Sequence, residues 1–217
     1  MEFAVAQGKS QKPAATNSSS KVRFRPPTAA APSVRVTGGS RGIGDTAITL
    51  DVLAPDDIGL TTQEQPSLFW FQSKPAEAKF ELTLLQEDKI KPVVQFTIER
   101  SAQAGIQRLR LSDHAVKLVP GVEYQWVVAL ITDPDNRSSD LVSSGVIKCV
   151  ESSDELRQKL AQATPGSLPS VYAEEGIWYD ALSALSDQIE AHPEDAELGA
   201  TRADLLRQVG LKVAAGS

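Results

Sequence analysis

At 217 residues, 41% hydrophobic and 23% charged, the chain has the composition of a soluble globular protein, with room for one domain of ordinary size and a small appendage. No apolar run approaches the roughly 18 residues that a membrane-spanning helix needs, which excludes such a helix within it. The net charge of −6 is uneven: residues 1–43 hold seven Lys/Arg against one Asp/Glu, residues 44–150 ten against fifteen, and residues 151–217 five against twelve.

Residues 1–31 are rich in Ala, Ser, Pro, Gln and Lys, and so little of this can bury surface that the composition predicts a disordered basic segment. The basic residues Lys9, Lys12, Lys21, Arg23, Arg25, Arg35 and Arg41 are spread out with only Phe24 among them, which argues against nucleic-acid binding. Ala4-Val5-Ala6 before Gln7 resembles the end of a secretory signal peptide, and Met1-Glu2-Phe3 and Gly216-Ser217 resemble residues left by cloning sites. The expected location is periplasmic or secreted, with the signal peptide removed.

Val36-Thr37-Gly38-Gly39-Ser40-Arg41-Gly42-Ile43-Gly44 resembles the nucleotide-binding turn of a short-chain dehydrogenase, in which glycines admit a pyrophosphate to a helix N-terminus. Such a turn needs a helix after it. Here Ile48, Leu50 and Val52 alternate, which is the period of a strand. The Tyr-x-x-x-Lys pair of those enzymes is also missing, since Val128, Gly176 and Ser183 stand four places after Tyr124, Tyr172 and Tyr179. A nicotinamide-dependent oxidoreductase rests on this stretch alone and is the remote alternative; no cofactor is expected.

Seven strands are predicted over 46–53, 67–72, 79–85, 93–99, 106–111, 122–132 and 142–150, separated by turn residues at sandwich-like spacing. Alternation is clean where Phe80, Leu82 and Leu84, then Val94, Phe96 and Ile98, then Tyr124, Trp126, Val128 and Leu130 face one way. The expected fold for residues 32–150 is an antiparallel β-sandwich of the immunoglobulin or fibronectin type III kind. Trp70 and Trp126 fit core aromatics better than a sugar-stacking platform, because Trp126 sits in register with Tyr124 and Val128 and Trp70 lies between Phe69 and Phe71 in a run where both faces are apolar.

Asp133, Asp135, Asn136 and Asp140 place four oxygen donors within eight residues of a loop, which makes them calcium candidates. The glycine and distal glutamate of a calcium loop are missing, and Arg137 can occupy the same carboxylates as a structural cation. Cys149 is the single cysteine; it forms no internal disulfide and has no Cys-x-x-Cys partner for a metal. No catalytic constellation is recognised around His114 or His192, and no Gly-x-Ser-x-Gly is present.

Helices are predicted from Ser152 or Ser153 as cap to Ala163, over 169–176, over 178–191 and over 195–209, the last ended by Gly210. This region, 151–217, is a helical hairpin region. Tyr172, Gly176, Ala181, Leu185 and Pro193 fall at spacings that resemble a tetratricopeptide repeat, in which small residues let two helices approach. About one and a half units are present, too few for a free-standing array, so the helices must pack on the sandwich or on a partner.

From Thr37 onward the chain resembles the exported bacterial proteins grouped as domain of unknown function 928. The resemblance rests on Gly38-Gly39-Ser40-Arg41-Gly42, on Val52-Leu53-Ala54-Pro55, on the run from Gly59-Leu60-Thr61-Thr62 to Leu68-Phe69-Trp70-Phe71, on Tyr124-Gln125-Trp126, on the segment from Asp133 to Asp140, and on Tyr172-Ala173-Glu174-Glu175-Gly176-Ile177-Trp178-Tyr179-Asp180-Ala181-Leu182. It implies that the glycine-rich stretch leads into the first sandwich strand, and it implies no activity; a cysteine that relatives carry after that stretch is absent here. The expected function is a noncatalytic exported protein-interaction module, with Tyr172, Trp178, Tyr179 and Arg137 as candidate partner contacts. The alternative is a cell-envelope accessory protein that binds polysaccharide or calcium around Asp133–Asp140.

Overall fold

A computed structural model of the protein describes residues 22–27, 35–36, 40–41, 47–75, 78–86, 89, 91–98 and 103–212. Nine strands are described: β1 (Ser40–Arg41), β2 (Ile48–Val52), β3 (Gly59–Thr61), β4 (Ser67–Gln72), β5 (Lys79–Gln86), β6 (Val94–Ile98), β7 (Gly105–Arg110), β8 (Glu123–Ile131) and β9 (Leu141–Cys149). One sheet has the order β1-β2-β4-β7 and the other β3-β9-β8-β5-β6. All pairings are antiparallel except β3 with β9, which is parallel, so the second sheet is mixed. That corrects the expectation of seven antiparallel strands. The two additions are too short to show a period, and a parallel neighbour 88 residues away, as in Gly59 with Ile147, leaves no local turn signal.

The strands form where the sequence alternates. Phe80, Leu82 and Leu84 of β5 and Trp126, Val128 and Leu130 of β8 are wholly buried, and their registers pair Leu82 with Val128 and Leu84 with Trp126. Trp70 of β4 reaches them from the other sheet, edge-on to Phe80 with ring centroids 5.1 Å apart. The two sheets thus share one core, and Trp70 and Trp126 have no exposed face to offer a sugar.

Four helices follow: α1 (Asp154–Gln162), α2 (Leu168–Glu174), α3 (Trp178–Ala191) and α4 (Ala196–Arg207). Ser153 caps α1 by accepting from the Leu156 N–H, and Asp195 caps α4 by accepting from the Glu197 N–H. Gly176, at φ +75°, makes the tight turn from α2 to α3 that a side chain would strain. Helix α3 lies against β3 and β4. This is why β4 reads as apolar on both faces: Trp70 points into the sheet-sheet core, while Phe69 lies under the Arg108 guanidinium, whose nitrogens bond Ser183 and Glu190 of α3.

Candidate functional site

Residues 37–39 and 42–46 of the glycine-rich stretch lie outside the described residues. Ser40 and Arg41 do not: they pair antiparallel with Thr49 and Ile48. Six residues between Arg41 and Ile48 are too few for the crossover helix of a dinucleotide fold. The loop candidates also separate. The Asp133 carboxylate accepts the Asp135 N–H at 3.0 Å, and the Asn136 side-chain Oδ1 accepts the Ser138 hydroxyl. Arg137 donates to Asp140 at 2.6 Å and to Glu81 of β5 at 2.8 Å. Arg137 holds the Glu81 carboxyl below its usual range. Among the described residues no group of three or more His, Cys, Asp or Glu is placed to hold a metal ion.

The C-terminal candidates meet in a seam between α3 and the sheets. Trp178 donates its indole N–H to the Leu53 carbonyl at 2.9 Å. Tyr179 accepts from the Trp126 indole N–H at 2.8 Å and donates to the Val146 carbonyl at 3.2 Å. Asp180 accepts from the Thr61 hydroxyl at 2.5 Å, from the Thr62 N–H at 3.0 Å and from the Thr62 hydroxyl. Burial pushes the Asp180 carboxyl and the Tyr179 phenol above their ordinary values. Two segments that carry the family resemblance, around Gly59–Thr62 and Tyr124–Trp126, therefore each bond a third, Tyr172–Leu182.

Trp178 and Tyr179 are fully buried and weld α3 to the sheets; Tyr179 is enclosed by the sheets themselves, whereas Trp178 carries the Phe24 ring against its own. Tyr172 is half-buried against the core and Arg137 is half-exposed in its ion pairs. Cys149 is also interior, and burial, with Asp180 and Glu64 nearby, raises its thiol pKa. A thiol so placed is a poor nucleophile.

One group of residues was missed because composition masks it. Residues 22–27 fall within the stretch predicted to be disordered, yet they lie as an extended segment on the helical region. The Phe24 ring stands edge-on to Trp178 at 5.0 Å, and Val22 is buried. Gln208, just after α4, brackets the segment's backbone: its Oε1 accepts the Phe24 N–H at 2.8 Å and its Nε2 donates to the Val22 carbonyl at 2.9 Å. The signal was two apolar residues at strand spacing, Val22 and Phe24, before Pro26-Pro27. Arg35, counted with the basic tail, is instead a buried link: it donates to the carbonyls of Ala54 and Val209 and pairs with Asp56 at 2.6 Å. The remaining residues of 1–31 lie outside the described residues.

No curated protein matches this chain. A family model matches residues 36–217, and with them all nine described strands and all four helices, so the chain belongs to the family described as Domain of Unknown Function (DUF928).

Proposed function

We propose that the protein is a noncatalytic, exported protein-interaction module in which a two-sheet body of the immunoglobulin or fibronectin type III kind presents a tetratricopeptide-like helical surface. The single observation that carries this reading is the extended segment 22–27 seated on α2–α4, because a surface that holds one segment through its backbone amides can hold another. The strand order supports the sandwich assignment. The β3 strand joins β9 in parallel at one edge and β6 extends the sheet at the other, while β2, β4 and β7 stand together in the facing sheet. Gly176 at the α2–α3 turn and Pro193 between α3 and α4 support the repeat-like helical pairing. The Ala4-Val5-Ala6 pattern supports export to the periplasm or beyond.

Deleting residues 151–217 is a poor test, since it would strip Tyr179 and Trp178 from the core. Substitution in the segment seated on the helical face leaves the seam intact. Immobilised full chain is expected to retain a protein from a cell-envelope extract of its host, and the Val22→Ser, Phe24→Ser variant, whose own segment covers the helical face less tightly, to retain more of it. Equal retention by both forms, or none by either, counts against the module.

A further inference from the structure

The segment 22–27 is held as a ligand is held. Besides the Gln208 bracket, the Arg25 N–H donates to the Ala173 carbonyl at 3.0 Å, so the backbone is gripped from α2 on one side and from the end of α4 on the other. Gly176 is cut to admit it: a Cβ there would lie 2.8 Å from the Arg25 carbonyl oxygen and 3.4 Å from Pro27 Cδ. Backbone grips do not read side chains, and the two side-chain contacts are Val22, buried, and Phe24 on Trp178. The proline pair that follows needs no N–H partner.

The surface continues past the segment. A cavity of about 710 Å³ opens beside Val22 and Arg23, walled by Glu197, Thr201, Asp204 and Arg207 of α4. That volume falls in the range of specific ligand sites. Arg23 is exposed and lines it together with Glu197 and Asp204. The family match begins at residue 36: the groove belongs to the shared part of the chain and its occupant does not.

We propose that the groove formed by the α2–α3 turn and the end of α4 is a docking site for an extended protein segment with an apolar residue, a basic residue and a phenylalanine in succession and a proline pair that begins two places after the phenylalanine, and that residues 22–27 occupy it in cis until such a segment displaces them. This rests on the interaction-module reading only for the existence of a partner. The tether gives the cis segment a local concentration on the order of millimolar, so a competing segment must gain contacts that the cis one lacks. The cavity along α4 supplies them to a partner that extends further on the side of Val22.

The test uses a fluorescent peptide of residues 20–29 and anisotropy titration against the full chain. The double substitution Val22→Ser with Phe24→Ser in the full chain weakens the cis occupant, and it is expected to bind the peptide at least about tenfold more tightly than the unaltered chain does. The same peptide carrying Phe24→Ala is expected to lose about tenfold or more. A folded double variant that gains nothing, or a Phe24→Ala peptide that binds equally well, overturns the proposal. If the double variant fails to fold, a protease site inserted between Pro27 and Arg35 and cut in the folded chain frees the segment; exchange for labelled peptide supports the site, and failure to take it up overturns it. An envelope protein captured equally by chains that take up no peptide would sink the groove while sparing the module. Specific peptide uptake with no envelope protein captured would spare the groove and sink the module.

Discussion

Asp180 and Glu81 are both carboxylates bonded across elements, and their surroundings push them in opposite directions. Asp180 sits inside the α3 seam with only neutral donors, the hydroxyls of Thr61 and Thr62 and the Thr62 N–H, so burial dominates and its proton is held more tightly than usual. Glu81 meets the Arg137 guanidinium near the surface, and its proton is held less tightly. The seam is built from burial and the loop network from charge. Substitution in the seam removes packing and leaves interior groups without partners, whereas substitution in the loop hands its groups back to water.

The largest effect is expected for Tyr179→Ala, which opens a cavity between α3, β8 and β9 and leaves the Trp126 indole N–H unpaired. Loss of about 3–5 kcal/mol in denaturant unfolding is expected. Tyr179→Phe keeps the ring and removes only the hydroxyl shared by Trp126 and Val146, for about 1–3 kcal/mol. If the two variants lose equal amounts, the ring contributes little and the weld is a hydrogen-bond effect alone. Gly59→Ala attacks the seam from the strand side, because its new Cβ would strike the Tyr179 ring edge, which is packed and cannot swing away. Overpacking of this kind costs about 1–3 kcal/mol. A thermal midpoint that does not fall would mean that β3 and α3 can part without penalty.

Asp180→Asn sharpens the contrast through pH. The folded-state pKa of Asp180 is raised above its ordinary value of 3.8, so folding favours the protonated form. That contribution is full below the unfolded pKa and is lost as pH rises through the folded pKa. Asparagine does not titrate. It also offers one oxygen where two accept, a loss that is the same at every pH. The midpoint of the variant relative to the unaltered chain is therefore expected to improve steadily as pH is raised from about 4 towards neutrality. A difference that stays flat, or that worsens, would show that the threonine donors outweigh burial.

Much of this architecture was legible because period and burial coincide. The alternation in Phe80-Glu81-Leu82 and in Tyr124-Gln125-Trp126 locates β5 and β8 within a residue or two; Ser153 marks the start of a helix by its side-chain cap, and Gly176 and Gly210 mark helix ends by their positive φ. What stayed hidden is non-local. Trp178-Tyr179-Asp180 resembles an exposed contact patch until Thr61, Thr62 and Trp126, more than 50 residues away in the chain, are brought against it. Residues 22–27 were hidden for the converse reason: a polar, proline-bearing stretch cannot bury itself, and only the groove of α2–α4 gives Val22 and Phe24 something to pack on. The doubled apolar faces of β4 were visible in sequence, but the helix that covers one of them was not.

The smallest effect is expected at the loop. Arg137→Ala removes a guanidinium that is 49% exposed from carboxylates that are 15% (Glu81) and 5% (Asp140) exposed; the space it leaves opens both to water, which replaces part of what is lost. The unfolding midpoint at neutral pH should barely move, and added salt should erase the difference. The difference that remains should vanish in acid. With Arg137 present, the depressed pKa of Glu81 contributes stability above the ordinary carboxylate range, and this is lost as pH falls through the folded value; without Arg137 that loss has little left to act on. The unaltered and Arg137→Ala chains should thus converge in midpoint as pH is lowered below about 4. Calcium adds a second arm. In the unaltered chain Arg137 bonds Asp140 and Glu81 and the Asp133 carboxylate closes its own turn, so millimolar calcium is expected to leave the midpoint unchanged. Removing the arginine frees two carboxylates about one loop and one strand apart. A clear calcium-dependent rise in the unaltered chain would mean that the ion displaces the guanidinium, and the loop would then be a binding site in which Arg137 is only a placeholder.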